Sequence, residues 1–379
     1  MLRCCAYMEM IATCGFGLEK LVHDELKNLG IWVTKTEDGR VTFNGDESAL
    51  ISANLWLRCA DRVQIKLGEF RAGTFDQLFD QVTALEWEKY IGRDDVFPVK
   101  ATSVKSALHS EPAIQSIVKK AVVKRLQQKH ATEMLPENSG VMYQIVVKSN
   151  KDQFVICIDS SGESLHKRGY RTKAYLAPIK ETLAAAMVKL SDRTSQRKLI
   201  DPFCGSGTIA IEAAMIAQHI APGLRREFAF QKWTWIDQEK LVEAYTEARK
   251  AALPPQELSI FGYDIDPAAI KIAQENAERA GFENIHFKCA DFNDLDFGEF
   301  ENSTFICNPP YGERLEEQAS IQEMYRKFGK KFARTKNCSL FLITSVENFP
   351  QLFGRQANKN RKLFNGQIRC YLFSYIFLS

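Results

Sequence analysis

Lys198-Leu199-Ile200-Asp201-Pro202-Phe203-Cys204-Gly205-Ser206-Gly207-Thr208 decides the fold. A short apolar run ends in an acid. A glycine-bearing turn follows, and Ile209 to Ala217 continues as an apolar helix. Strand, turn and helix in that order is the unit of a parallel sheet with helices on its faces. Glycines there let a ligand approach the backbone closely, at the carboxyl end of a strand where open sheets bind ligands.

The same grammar repeats downstream. Ile260-Phe261-Gly262-Tyr263-Asp264-Ile265-Asp266-Pro267 is an apolar run that ends in carboxylates and precedes a helix. Ile285-His286-Phe287-Lys288-Cys289-Ala290-Asp291-Phe292 again ends in an acid and an aromatic. Ser303 to Cys307 reads as a short buried strand and runs into Asn308-Pro309-Pro310-Tyr311. Four successive strand ends thus carry Asp201, Asp264, Asp291 and Asn308. One such end is ordinary loop polarity; four in order point to a ligand site.

Two cofactor chemistries compete at the first turn. Gly205-x-Gly207-x-x-Ala210 formally matches a dinucleotide fingerprint. That fingerprint expects an acid about 20 residues on, at the end of the next strand. Glu227 lies near that distance but follows Arg225-Arg226 and ends no visible strand. Asp264 does end one. A carboxylate there can take both ribose hydroxyls of a nucleoside, and the acidity of this segment disfavours a pyrophosphate. Asp291 can accept from an adenine amino group while Phe292 or a neighbour packs on the ring.

The turn at Asn308 suits chemistry on an exocyclic amine. The Asn308 amide oxygen and the Pro309 carbonyl can each accept one N–H, and Tyr311 can stack on the ring that carries the amine. Two prolines stiffen the turn, since each fixes φ near about −65° and lacks an N–H. Alone, the turn is equally well an Asn-capped Pro-Pro bend.

The N-terminal half has another texture. Met8 to Thr13 reads as a strand, and Gly15-Phe16-Gly17 breaks it. Leu18, Leu21, Val22, Leu26 and Leu29 recur at helical spacing. Asp38-Gly39 between Val33-Thr34 and Val41-Phe43 signals a hairpin. Glu47 to Leu57 predicts a second helix. A second unit contains a strand at Val96 to Ala101, which Pro98 pushes toward a sheet edge. Ser110-Glu111-Pro112 starts a helix. Lys119, Lys120, Lys124, Arg125 and Lys129 line that helix, where a solvated face explains them better than a ligand does. Val141 to Val147 and Phe154 to Asp159 predict two further strands. Nothing in this half looks catalytic. It reads as a platform for something large.

Charge is unevenly spread. Residues 161–198 carry nine Lys/Arg against three Asp/Glu, and residues 321–379 carry eleven against two. Between them, residues 199–320 carry ten against 21. Basic segments of this kind are what a phosphate backbone requires of a partner. In the first, Leu165-His166-Lys167-Arg168-Gly169-Tyr170-Arg171 sets three cations beside an aromatic, a combination that can hold a phosphate and stack on a base. In the second, Arg355, Lys359, Arg361 and Lys362 can flank the site. The ten cysteines form no Cys-x-x-Cys, and the six histidines show no ligand spacing, so no metal is expected. Several of the cysteines sit in apolar runs, as in a cytoplasmic protein. No apolar run is long enough to span a bilayer, and no signal peptide or membrane association is expected.

At this point the sequence resembles the class I S-adenosylmethionine-dependent methyltransferases over about residues 180–379. The resemblance implies a Rossmann-like α/β domain with a mostly parallel seven-stranded sheet. It implies that the Asp201 turn, with Phe203, Gly205, Gly207 and Thr208, holds the methionine part of S-adenosylmethionine. Asp264 and Ile265 would then serve its ribose, Asp291 and Phe292 its adenine, with Asn308 closing the site. The Asn308-Pro309-Pro310-Tyr311 turn is similar to that of enzymes that methylate amines on bases, which makes Asn308, Pro309 and Tyr311 the expected catalytic set.

Residues 66–160 resemble a THUMP RNA-binding domain, and residues 1–65 a ferredoxin-like domain. A basic linker over 161–182 would then lead to the methyltransferase domain at 183–379. His166 to Arg171, Ala177-Pro-Ile-Lys-Glu-Thr-Leu-Ala184 and Asn308-Pro-Pro-Tyr-Gly-Glu-Arg314 together resemble the rRNA guanine-N2 methyltransferases, in a form without a second methyltransferase half. That resemblance implies a guanosine of 23S rRNA, or a pre-ribosomal particle, as substrate. Lys167, Arg168, Tyr170, Arg171 and Arg314 would contact the RNA. A tRNA guanine-N2 methyltransferase shares every one of these motifs. A non-catalytic RNA-binding assembly factor is the reading from another class. The long stretch from Ala217 to Ser259 departs from the family pattern and has no expected role.

Overall fold

The first sheet is built from one long strand that two halves share. In the computed structural model, residues 7–171, 179–191, 197–254, 257–311 and 318–376 are described. The chain opens with β1 (Met8–Cys14), α1 (Glu19–Asn28), β2 (Trp32–Glu37), β3 (Arg40–Gly45) and α2 (Glu47–Trp56). The Asp46 carboxylate caps α2 by accepting from Ala49 N at 3.1 Å. Gly39 takes φ +74° in the β2–β3 turn, a conformation that glycine adopts without strain. Then come β4 (Ala60–Arg71), α3 (Phe75–Ala84), β5 (Val99–Val104), α4 (Glu111–His130), β6 (Ile145–Asn150) and β7 (Gln153–Asp159).

These strands lie in the order β2-β3-β1-β4-β7-β6-β5. β4 pairs with β1 on one side and β7 on the other, so the expected division at residue 65 falls inside a strand. The two parts expected from the resemblance, residues 1–65 and 66–160, share one continuous sheet. β5 is an edge strand and starts just after Pro98, where a missing N–H costs no ladder bond. On α4, Lys119 pairs with Glu137, while Arg125 and Lys129 pair with Glu88.

The second sheet follows α5 (Glu181–Leu190). Its elements are β8 (Lys198–Asp201), α6 (Thr208–Ala217), α7 (Gln238–Lys250), β9 (Ile260–Asp264), α8 (Pro267–Ala280), β10 (His286–Cys289) and β11 (Ser303–Cys307). α9 (Gln318–Phe332), β12 (Ser339–Thr344), α10 (Phe349–Phe353), β13 (Lys359–Asn365) and β14 (Ile368–Tyr375) complete it. The strand order is β10-β9-β8-β11-β12-β14-β13. The first five are parallel, and β14 and β13 run antiparallel to their neighbours. β11 and β12 are buried along their whole length, as helix-covered parallel strands require.

Residues 218–259, the stretch without an expected role, tie the two sheets together. Gly223 N donates to Leu55 O at 2.9 Å. A Cβ on Gly223 would meet the Leu55 backbone at 2.8 Å, so a side chain there would part the halves. Trp233 stacks on Tyr143 with ring centroids 4.9 Å apart, and its indole N–H donates to Met142 O at 3.0 Å. Asp237 N donates to Glu47 across the same junction. One buried apolar cluster runs from Met10 in β1 to Leu372 in β14.

The basic segment around 161–171 is built into this junction as well. Ser160 and Ser161 are fully buried. Their hydroxyls bond to both ends of the Asn54 amide, at 2.9 and 2.7 Å. Leu165 N donates to Asp61 O at 2.7 Å. It is a packed strap rather than a free tether.

Candidate active site

The sheet order reverses between β8 and β11, so a crevice opens at their carboxyl ends, where open α/β sheets hold ligands. Asp201 closes β8 and Asn308 follows β11, one on each side of it. Asp201 is buried. One of its oxygens accepts from Phe203 N at 3.1 Å. The other, Oδ2, is buried and has no partner among the described residues. Burial holds this carboxyl well above the usual range, and the Asp264 charge pushes the same way.

The glycine turn is held from β9. Gly205 has φ +50° and donates its N–H to Asp264 Oδ2 at 2.9 Å. Asp264 Oδ1 accepts from Asp266 N at 3.0 Å. Each oxygen keeps a second lone pair for an outside donor. Gly207 has φ +80° at the start of α6, and a Cβ there would meet the Phe287 ring at 2.9 Å. Gly207 cannot gain a side chain without moving β10, whereas the space beside Gly205 is open.

Other expected site residues divide sharply. Asp291 lies at the end of the next strand, where its Oδ1 accepts from Asn293 N at 2.9 Å. Ile265 is 67% exposed at the same rim. Phe292 is not free to cover a ligand ring: it is buried in an aromatic cluster, 5.2 Å from Phe203 and 6.0 Å from Phe328. The Thr208 hydroxyl also points into protein, bonded to the Arg171 guanidinium at 2.5 Å, and the residue is buried.

At the fourth strand end, Asn308 is half-buried and Pro309 buried. The Tyr311 hydroxyl donates to Asn308 Oδ1. Burial raises the Tyr311 phenol far above its ordinary value, so it stays a donor. The expected stacking residue therefore also fixes the amide. The Tyr325 hydroxyl anchors the turn from below, at 3.1 Å from Pro310 O and 2.9 Å from Thr344 Oγ1. Tyr311 lines a cleft of ≈ 590 Å³ with Ile321, Gln322 and Asn348.

The expected RNA contacts at 167–171 need correction. Arg168 is buried; its guanidinium pairs with Glu212 at 3.4 Å and donates to the carbonyls of Leu165 and Arg58. Tyr170 is buried and its hydroxyl donates to Glu212 at 3.2 Å. Arg171 bonds Thr208 and Ile179 O and pairs with Glu181 at 3.4 Å. A phosphate cannot reach Arg168 in this buried junction, while Arg171 is half-buried and its Nε has no hydrogen-bond partner among the described residues. Lys167 alone of these four is largely exposed, 2.7 Å from Glu163. Arg314 lies outside the described residues.

Sequence reasoning missed Glu212, the buried anion that gathers this cluster. It also missed Glu25, which accepts from Arg58 N and Cys59 N and pairs with Lys189 at 3.0 Å. The available signal was one acid in the apolar run Ile209-Ala-Ile-Glu212-Ala-Ala. A lone charge on an otherwise apolar helix implies a buried partner.

Sheet order, glycine turn and strand-end acids define a class I methyltransferase, here carried behind a second α/β sheet. The chain belongs to the RMKL-like methyltransferase family: residues 168–373 match its methyltransferase domain. Residues 9–64 match the RlmL ferredoxin-like domain, and residues 72–159 the THUMP domain. The chain is 45% identical over 373 residues to the putative RNA methyltransferase YpsC of Bacillus subtilis, covering 97% of this chain and 95% of that one. It is 32% identical over 372 residues to the ribosomal RNA large subunit methyltransferase K/L of Aliivibrio salmonicida, covering 96% of this chain. It spans about half of that relative, 53% of its length. The crystal structure of SMU.472, a putative methyltransferase complexed with SAH, superposes with TM-score 0.94 at 42% identity, covering 98% of this chain and 99% of that one.

Proposed function

We propose that this chain transfers a methyl group from S-adenosylmethionine to the exocyclic N2 amine of a guanosine in 23S rRNA, in the cytoplasm. The observation that carries it is the pairing, across one crevice, of the orphaned Asp201 carboxyl with the Asn308-Pro309-Pro310-Tyr311 turn. A buried carboxyl with an unmet oxygen is costly until a cation or donor reaches it. The ammonium group of S-adenosylmethionine is such a partner. The open second lone pairs of Asp264 suit ribose hydroxyls, and the space beyond Gly205 is empty enough for close approach. The residues therefore fit that cofactor, held by Asp201, Gly205, Gly207, Asp264, Ile265 and Asp291. Its sulfonium supplies an activated methyl that needs only an in-line nucleophile.

The protein's part is placement. A guanine N2 lone pair is delocalised into its ring and is a poor nucleophile. Asn308 Oδ1, steadied by the Tyr311 hydroxyl, and the Pro309 carbonyl accept the two amine hydrogens and aim the lone pair. Most of the rate then comes from positioning. The surplus proton leaves after attack, so no strong base is required. A paired guanine is out of reach, so the base is flipped or already unpaired. In this division of labour residues 66–160 hold RNA by shape and phosphate, 161–171 couple the halves, and 183–379 carry the chemistry. The family's THUMP domain and the relatives' names support RNA as the substrate class.

The test is tritiated-methyl transfer from S-adenosylmethionine to total RNA of a strain lacking the gene, followed by nucleoside analysis. Label in N2-methylguanosine of 23S rRNA is expected. Label in tRNA would replace the substrate, and label in another nucleoside would overturn the base. No label despite cofactor binding would favour an assembly factor.

A further inference from the structure

The groove between the first loop of the chain and the last hairpin is unused by that mechanism. It encloses ≈ 330 Å³, and its lining includes Phe16, Asp61, Lys180, Thr182 and Phe364. Its walls are firmly built. Gly17 has φ +89°, and a Cβ there would meet the Lys362 carbonyl at 2.8 Å. The Glu19 carboxylate accepts the Gly17 N–H at 2.9 Å. The Arg361 guanidinium donates to the Gly17 carbonyl at 3.2 Å. The loop is thus clamped between α1 and β13, yet Phe16 stays 45% exposed. Its ring meets Phe364 edge-on, with centroids 6.0 Å apart at 88°. An edge-on pair leaves a ring face uncovered for a third planar group.

Charge sorts the groove by depth. In the lining the Asp61 carboxyl and the Lys180 ammonium offset one another, so the floor carries no net attraction for a phosphate. Lys359, Arg361 and Lys362 are exposed on β13; strand alternation puts Lys362 on the face of the groove-lining Phe364 and the other two on the opposite face, and the Lys362 amine is 5.9 Å from the Phe364 centroid. An aromatic floor with a cationic rim matches a single-stranded nucleic acid, base inward and backbone outward. The volume is enough for one base. The same hairpin reaches the acceptor turn, since the Tyr311 phenol lies against the side chains of Cys370 and Asn365.

We infer that this groove binds one unpaired nucleotide of the RNA, near the guanosine presented to Asn308, with its base stacked on Phe16 and its phosphate at Lys362. The inference rests on RNA being the substrate. It explains why the exposed aromatic sits on a braced loop: a stacking platform works only if its ring is already in place.

The test uses the full chain and a fluorescein-labelled single-stranded RNA 15-mer (roughly one site's length), with a duplex of equal length as control. Phe16→Ala should weaken single-strand binding about tenfold, the loss of one base–aromatic stack. Phe16→Trp should bind as the parent does, and duplex affinity and S-adenosylmethionine affinity should stay unchanged. With 5-iodouridine in the strand, irradiation should place an adduct on the loop at residues 15–17. Parent-like single-strand binding by Phe16→Ala, equal losses on strand and duplex, or an adduct confined to other segments would overturn the groove. Adduct and binding defect without methylation of any RNA would overturn the proposed function and leave the groove standing. Methylation of 23S rRNA with no effect at Phe16 would do the reverse.

Discussion

The turn at Asn308 and the segment at Lys167–Arg171 look alike in sequence: each sets polar groups beside a tyrosine. The fold treats them in opposite ways. At the turn, Tyr311 donates to Asn308 and the pair sits half-buried at the mouth of a crevice. In the segment, Tyr170 and Arg168 converge on Glu212 and are sealed inside a junction. One arrangement leaves hydrogen-bonding capacity for a ligand. The other spends it within the protein. Polar residues next to an aromatic therefore identify a site only once their partners are known.

The sharpest way to break this contrast is Asn308→Ala. It should lower single-turnover methyl transfer by about 100-fold or more, because placement of the amine is lost. Cofactor affinity should change less than about twofold, as the Asp201 and Asp264 contacts remain. A fully active variant would end the turn's catalytic role.

Arg168→Met tests the other side. It leaves Glu212 buried without its cation, and breaking such a pair costs about 3–5 kcal/mol. Urea denaturation should show that loss, while RNA affinity per folded molecule stays unchanged. Lys167→Ala, a few atoms away but in solvent, should shift stability by less than about 1 kcal/mol. If Arg168→Met were stable and RNA binding collapsed, the cluster would have to be exposed in solution.

Tyr311→Phe sharpens the comparison within the site. It keeps the ring and removes the hydrogen bond that orients the Asn308 amide. A bond of this kind contributes about 0.5–1.5 kcal/mol, so transfer should slow up to about tenfold, with the RNA KM unmoved. A loss as large as that of Asn308→Ala would make the hydroxyl itself part of the chemistry.

The smallest effect concerns His166, which the sequence places among the cations. Its imidazole is pushed down from 6.5 to about 4, chiefly by burial and then by Lys180 and Arg168. It is neutral at working pH and attracts no phosphate. The unfolded chain binds its proton near 6.5 and the folded chain only near 4. Stability is therefore level above the first value and falls as pH drops from it through the second. The urea midpoint of the parent should fall more than that of His166→Gln between about pH 7 and pH 5. Parallel changes would show that other groups carry the pH dependence.

The parallel sheet and its four strand ends were legible because their signals are local. A short apolar run, a terminal acid and a glycine turn sit within about ten residues, and a strand-to-helix turn depends on little else. β4 was not read, although Val63 and Ile65 alternate with charged and polar neighbours, because its alternation breaks at the irregularity around Lys66 and Gly68. Its partners, moreover, lie in β1 and β7. Phe292 and Thr208 were placed at the site by motif position, yet their side chains turn into the aromatic core and toward Arg171. Backbone position follows from the motif; side-chain direction follows from what packs around it.

The sequence by itself determined the succession of strands in the second half, the residues that stand at their carboxyl ends and the stiffness of the Asn308 turn, because backbone preferences and hydrophobic periodicity act over a few neighbours. Tertiary structure alone decided which polar groups remain free. Arg168 meets an acid 44 positions away, Gly223 closes on Leu55, and Phe16 is held open by a strand from the far end of the chain. Burial and partnering are properties of the assembled core, where removal from water makes each polar group find a partner or stay exposed.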